Sequence, residues 1–385
     1  MQAAECGLRI VSGTTDGHSS PTLKAESPQP KAHSTQRNTD LQTATLTQER
    51  LAELIDQFAQ ARIAVLGDFF LDKYMDVDPA LEEISVETGK PAHQVSGVRC
   101  SPGAAGTVVC NLAALGAGQL HAIGIIGDDG EGYDLCKALH RLGCGTERLH
   151  ISDERATPTY RKPRDVNVPG LSGEHSRYDT KNRATTPAHL EDIVVAALDE
   201  LLPDVHAVAV MDQIEQPDCG VVTQRTREIL ADRAREHNKV VFFADSRRRI
   251  KEFKRLIIKP NQFETVGVDD PQPGAQVDLA ELQSAGMTLR KENEAPVIIT
   301  CGELGMVVSD PDWLRVPGIR SAGEIDPTGA GDSVTAGTVL ALCAGATLPE
   351  AAVVGNLVAS ITVQQLATTG VARPEQLAGQ LEQYG

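Results

Sequence analysis

Aromatic residues are scarce in this chain: Phe, Trp and Tyr together make up 3% of its 385 positions. So small a supply excludes a surface built to stack bases. Excess positive charge is lacking as well. Lys and Arg number 36 against 53 Asp and Glu, a net charge of −17, which argues against nucleic-acid partners, because polyanions are held by clustered cations. No Cys-x-x-Cys pair occurs among the eight cysteines, Cys6, Cys100, Cys110, Cys136, Cys144, Cys219, Cys301 and Cys343. A structural zinc site is set aside on that spacing, and scattered thiols fit a reducing compartment. Apolar runs are no longer than a strand, too short to cross a bilayer. The N-terminus has neither the basic start nor the apolar core of a secretion signal. A cytoplasmic protein with small-molecule partners, and with neither membrane nor nucleic acid among them, is expected.

What is present reads as one large α/β domain. Residues 1–44 are rich in Ser, Thr, Gln and Pro and bury too little apolar surface to offset their ordering entropy, so they are expected to be a disordered extension. From 45 to 385 the pattern is regular. Leu51, Leu54, Ile55 and Phe58 form a helical stripe, and Arg62 to Asp68 reads as a buried strand. Helix and strand patterns then alternate: Leu190–Leu202 and His206–Met211, then Val222–His237 and Lys239–Asp245. Such alternation signals a parallel sheet with crossover helices. Two looser stretches, about 74–100 and 151–178, are read as strands of a small lid; a pair of surface hairpins would produce the same pattern. Arg247, Arg248 and Arg249 with Lys251, Lys254 and Arg255 are the one dense basic run, read first as a solvated helix face and second as an attractor of phosphorylated ligands.

The stretch from Glu324 to Asp332 carries the chemistry. Gly329, Ala330 and Gly331 precede a long apolar-periodic run, and a Gly-rich turn feeding a helix aims free N–H groups and the positive end of the helix dipole at one point. Asp332 in the first turn stands beside any anion bound there, placed to take a proton from an attacking hydroxyl. Taken alone, Gly-Ala-Gly is better explained as a turn whose Asp complements the dipole. Asp68 and Asp72 stand at the carboxyl end of the first strand, where ligands gather in open sheets, or else serve turn chemistry. Asp212 and Asp245 close later strands in the same way. Asn261 followed by Glu264 has the outline of a helix capping box.

The full string Asp326-Pro327-Thr328-Gly329-Ala330-Gly331-Asp332 is more specific, and it resembles the signature of the ribokinase-like (PfkB) carbohydrate kinases. That resemblance implies a central, mostly parallel sheet with helices on both faces and a small β-sheet lid. By it, Asp332 is the catalytic base and the amides of Gly329, Ala330 and Gly331 form the anion hole. Gly67 to Asp72 is similar to the family's first strand, where the acid matching Asp72 holds sugar hydroxyls and Asp68 lies close by. In the run from Gly103, Thr107 occupies the position of an Asn that binds a substrate hydroxyl, a departure that bears on the choice of sugar; Gly103 and Asp326 complete the expected acceptor set. Asn261 and Glu264 resemble the family's Asn-x-x-Glu motif, whose acid organises Mg²⁺ through water. Thr300, Gly302 and Gly305 resemble its nucleotide turn, and Thr328 and Asn356 join the implied nucleotide contacts. Asp129, in Gly127-Asp128-Asp129-Gly130, is read as mainly structural.

ATP, Mg²⁺, a sugar or sugar-phosphate acceptor and a homodimer formed through the lid follow from the resemblance, which leaves a monovalent cation such as K⁺ open. Within the family, the run Val65 to Tyr74 and Ile84-Ser85-Val86-Glu87 are most similar to heptose-7-phosphate kinases. The alternatives are a kinase of another acceptor, such as a nucleoside, and a catalytically silent relative that binds sugar or nucleotide.

Overall fold

The computed structural model describes residues 41–168, 171–310, 312–319, 323–366 and 370–384. Its centre is a sheet of six parallel strands in the spatial order Ile257–Ile258, Val241–Ser246, Ala207–Asp212, Arg62–Gly67, Gln119–Gly127 and Cys144–Ser152. Side chains alternate across each strand, and the two faces bury separate cores. Ile63 and Val65 pack into one with Ala207 and Ala209, while Ala64 and Leu66 pack into the other with Val208 and Val210. The chain leaves Arg62–Gly67 toward one edge of the sheet and later returns at Ala207–Asp212 to build toward the other. That reversal makes a crevice at the strands' carboxyl ends, where open α/β sheets bind ligands.

A second sheet of four strands stands over this end: Tyr178–Thr180, Thr159–Asp165, Phe69–Val77 and Val95–Ala104. It is the expected lid, with different limits. The strand from the central sheet resumes at Phe69 rather than near Tyr74, and Val95–Ala104 runs past Cys100 to the next helix. Cys144–Ser152 pairs in the central sheet, so the second excursion begins beyond Ile151. A meander of Ile298–Thr300, Gly305–Ser309 and Trp313–Pro317 adds another sheet.

Two more expectations change. Most of 1–44 lies outside the described residues, but Gln42–Thr43 pairs in parallel with Leu314 and Arg315, and Ala44 is buried. The ordered domain therefore begins ahead of residue 45, because an edge strand of the meander accepts these backbone groups. The basic run is not a helix face. Arg249 is buried and forms a two-point ion pair with Asp212, at 2.6 and 3.2 Å, and Ser246 donates to the same carboxylate at 2.6 Å. Asp212 is thereby a structural acid, satisfied inside the protein.

Helix Ala330–Cys343 is buried continuously from Ser333 to Ala341. It packs on helix Leu348–Thr362, whose start carries a Thr347–Glu350 capping box. The two approach closely at paired glycines. A Cβ on Gly337 would lie 2.8 Å from Val358 Cγ2, and one on Gly355 would lie 2.4 Å from Thr338 Oγ1 and 2.8 Å from the Val334 carbonyl. Gly355→Ala is expected to force these helices apart and cost about 1–3 kcal/mol, read as a lower denaturant midpoint; an unchanged midpoint would contradict the close packing.

Candidate active site

A cleft of about 390 Å³ opens between the lid and the carboxyl edge of the central sheet. Its floor holds Asp245, Ser246, Lys259, Asn261, Glu264 and Thr300, and the start of helix Ala330–Cys343 supplies Thr328, Gly329, Gly331 and Asp332. Phe70, Asp72, Tyr160, Lys162 and Arg177 enter from the lid, and Ala104 and Thr107 from the junction between lid and body.

The helix start leaves backbone amides free toward the cleft, with one change from expectation. Gly329 takes φ +78°, a left-handed conformation natural to glycine, and turns the chain into the helix. The Ala330 amide donates to the Pro327 carbonyl at 3.1 Å and is spent in that turn, and Ala330 does not line the cleft. The amides of Gly329, Gly331 and Asp332 have no acceptor among the described residues. Of the expected trio, Gly329 and Gly331 keep free amides, as Asp332 does, and the Ala330 amide is engaged.

Asp332 itself is pushed up to about 7. Burial is the main cause and repulsion from Asp245 the next, with Lys259 and Arg247 pulling the other way. Glu264 is likewise raised to about 7, by burial first and by Asp245, against the Asn261 amide and the cations Lys259 and Arg248. Its Oε2 accepts from the Asn261 backbone at 2.7 Å, while Asn261 Oδ1 accepts from Phe263 and Glu264 at 2.9 and 2.8 Å. The capping box is therefore formed, and Glu264 Oε1 is left without a protein donor among the described residues.

On the facing wall Lys162 Nζ stands 3.1 Å from Asp72 Oδ1 and 3.4 Å from the Tyr74 hydroxyl. Asp72 is buried, and its carboxylate enters the cleft as the ion-pair partner of Lys162. Burial raises the Asp72 carboxyl, with Lys162 opposing. Gly103 lies across from Phe70, and a Cβ there would meet Asp72 Oδ2 at 3.0 Å. Phe70 and Tyr160 meet edge to face at 5.1 Å, and the Arg177 guanidinium sits 4.3 Å over Tyr160.

A family model described as "pfkB family carbohydrate kinase" matches residues 60–375. The chain belongs to the pfkB carbohydrate kinases. It is 30% identical over 328 residues to the "Bifunctional protein HldE" of Ectopseudomonas mendocina, covering 83% of this chain and 64% of that protein. The chain thus spans about 64% of that relative's length. Among solved structures, phosphofructokinase-2 from Escherichia coli in complex with potassium superposes with a TM-score of 0.62 at 16% identity, covering 84% of this chain and 98% of that one. Ribokinase from Arabidopsis thaliana, complexed with ribose and ATP, superposes with a TM-score of 0.59 at 16% identity, covering 84% and 99%. Both share the ribokinase-like fold.

Membership of the pfkB carbohydrate kinases implies ATP and a divalent metal. The residues present fit one held indirectly. No group of three His, Cys, Asp or Glu among the described residues could cage a metal, but Mg²⁺ keeps several waters and needs only one or two carboxylates plus phosphate oxygens. Glu264 Oε1 is an oxygen of that kind in the cleft.

Of the residues singled out in the sequence, Asp72, Thr107, Asn261, Glu264, Thr300, Thr328, Gly329, Gly331 and Asp332 line the cleft. Asp68 does not. Its carboxylate accepts the amides of Gln213 at 2.8 Å, Ile214 at 3.0 Å and Val221 at 2.8 Å. Burial, then repulsion from Asp212, lifts it to about 6 against those three donors. Asn356 donates to the Pro317 carbonyl at 2.7 Å and ties its helix to the meander. Asp326 is buried and accepts from the Thr328 amide at 3.0 Å, outside the cleft. Gly302 and Gly305 shape the turn after Thr300 without lining the cleft.

Lys162, Arg177, Arg247 and Lys259 line the cleft and were not singled out for it. Tyr160 and Lys162 are two apart on one strand and so share a face, a signal available in the sequence once the strand is assigned. Asp68→Asn is expected to cost about 1.5–3 kcal/mol, the range for hydrogen bonds to a charged group, because an amide cannot accept from both sides. Thermal or urea unfolding reads this, and unchanged stability would contradict the structural assignment.

Proposed function

We propose that this cleft transfers the γ-phosphoryl group of ATP to a hydroxyl of a sugar or sugar phosphate, with Asp332 as general base. The observation that carries the reading is the meeting, in one cleft, of a raised carboxylate, free amides at a helix start and a buried carboxylate on the facing wall. Asp72 Oδ1 accepts a hydrogen bond from a hydroxyl of the sugar and orients it, with the Thr107 hydroxyl beside it. Phe70 and Tyr160 give the sugar ring an apolar wall. Asp332 removes the proton of the attacking hydroxyl, and a pKa near 7 makes it a stronger base than an ordinary aspartate. The amides of Gly329, Gly331 and Asp332 hold charge on the transferring group. Glu264 would hold Mg²⁺, which when bound would neutralise the phosphates. Thr300, Thr328 and Asn261 flank the polyphosphate, and the lid excludes water that would waste ATP.

Heptose 7-phosphate is the acceptor favoured by the resemblance of Val65 to Tyr74, supported by the relative named HldE and by the cations Lys162, Arg177 and Arg247 around the cleft. A bound K⁺ remains part of the proposal through the potassium complex of phosphofructokinase-2. A cytoplasmic site of action goes with a nucleotide-consuming kinase; no helix among the described residues is long and apolar enough to cross a membrane.

Asp332→Asn is expected to lower kcat by on the order of 10²–10⁴-fold while ADP still binds. Because the base works only when ionised, wild-type kcat/KM for the acceptor should be level above about pH 7 and fall as pH drops below it. Near-wild-type turnover by Asp332→Asn would rule the base out. Pairing of two copies through the lid draws support from exposed Ile84, Val86, Val95 and Val98. Sedimentation equilibrium is expected to return twice the chain mass, and a single-chain mass would remove the dimer.

A further inference from the structure

Lys259 is an unusual residue to find at the floor of this cleft. It is 4% exposed, it follows the short strand Ile257–Ile258, and its backbone N–H donates to the Ala244 carbonyl at 3.1 Å. Its Nζ lies 2.8 Å from Asp245 Oδ2 at the end of the neighbouring strand. A buried ammonium needs such a partner. The pair is also pressed against the helix start. A Cβ on Gly331 would lie 3.3 Å from Lys259 Nζ and 3.9 Å from Asp245 Oδ2. Asp245 engages one of the amine's three donors, and the others have no partner among the described residues. A buried cation with donors to spare therefore lies beside the free Gly331 amide, in a cleft where Asp245, Glu264 and Asp332 supply negative charge.

We infer that Lys259 is a catalytic residue of this site: its ammonium contacts the transferring phosphoryl group and completes the anion hole beside the helix amides. Asp245 is its positioning residue, holding the amine against Gly331. The inference rests on the kinase reading above and adds a cation that none of the motifs named in the sequence contains. In phosphoryl transfer, charge spreads over the three equatorial oxygens, and backbone amides from one helix start approach from one direction. A fixed ammonium beside Gly331 reaches an oxygen they do not. Such a contact strengthens as charge develops, so its loss appears in kcat more than in nucleotide affinity. The competing account is a purely structural ion pair joining two strand ends.

Lys259→Met alone strands a buried carboxylate and can unfold the protein, so the test uses the full chain in four forms: Lys259→Met, Lys259→Arg, Asp245→Asn, and Lys259→Met with Asp245→Asn. For each, kcat and KM are measured by ADP formation with Mg·ATP and an active sugar acceptor, Kd for ADP by calorimetry, and Tm by scanning. Lys259→Met is expected to lose on the order of 10²–10³-fold in kcat, as for removal of one oxyanion donor, with Kd for ADP little changed. Lys259→Arg should keep part of that rate. Asp245→Asn should lower kcat less than Lys259→Met. The double variant should regain Tm without regaining kcat. Recovery of both Tm and kcat in the double variant, or near-wild-type kcat in Lys259→Met, would overturn the role of Lys259 while Asp332→Asn remains inactive and the kinase reading stands. Full activity in Asp332→Asn would overturn that reading, and this inference with it.

Discussion

Burial of helix Ala330–Cys343 along its length is the constraint on which the site depends. Ser333 to Ala341 are enclosed without a break, between the central sheet and helix Leu348–Thr362. A helix packed on all sides cannot shift its first turn without disturbing the core. The free amides at its start, and Asp332 among them, are therefore held in place before any ligand arrives. Preorganised donors cost no reorganisation when charge develops. The glycines Gly337 and Gly355 serve the same end at a distance, because they let the two buried helices lie close enough to fix each other.

Around this fixed point the chain gathers more negative charge than one buried site tolerates without compensation. Asp245, Glu264 and Asp332 share the cleft floor with Lys259, and burial raises Glu264 and Asp332 toward neutrality. A carboxyl that titrates near 7 is poorly suited to a static ion pair and well suited to exchanging a proton with a hydroxyl. The acids that were not needed for ligands are treated in the opposite way. Asp68 is saturated by three backbone amides, and Asp212 by Arg249 and Ser246. These two pin the segment 213–221 and the turn after Ser246 behind the cleft, which positions Gln213 and Arg247 at its edge.

The parallel sheet was legible in the sequence because buried strands and crossover helices alternate with distinct periods. The interest of Gly329 to Asp332 was legible through the full string from Asp326, which resembles the family signature; Gly-Ala-Gly alone suits an ordinary turn whose Asp complements the helix dipole. Register and side-chain direction were not. Asp68 and Asp72 are four apart in sequence, yet Asp68 lies just past the central strand against backbone amides of residues 213–221 while Asp72 lies in the lid strand and faces the cleft. The Ala330 amide closes a turn onto Pro327, a detail of backbone geometry. Asn356, expected among the nucleotide contacts, donates to the Pro317 carbonyl, a partner 39 positions away. Arg249 sat in a basic run whose charge suggested solvent, while its ion-pair partner, Asp212, lies 37 positions away. Apart from the local turn at Ala330, a non-local contact chose between the readings in each case.

The central claim is that this cleft moves a phosphoryl group from ATP to a sugar hydroxyl. Release of ADP from Mg·ATP by the full chain, measured across a panel of sugars, sugar phosphates and nucleosides, tests it most directly. The account predicts release that depends on one class of sugar or sugar phosphate and yields a phosphorylated form of that acceptor. Silence across the panel, from a folded protein whose melting temperature still rises with ATP or a sugar, would contradict it and favour a protein that binds these ligands without turning them over.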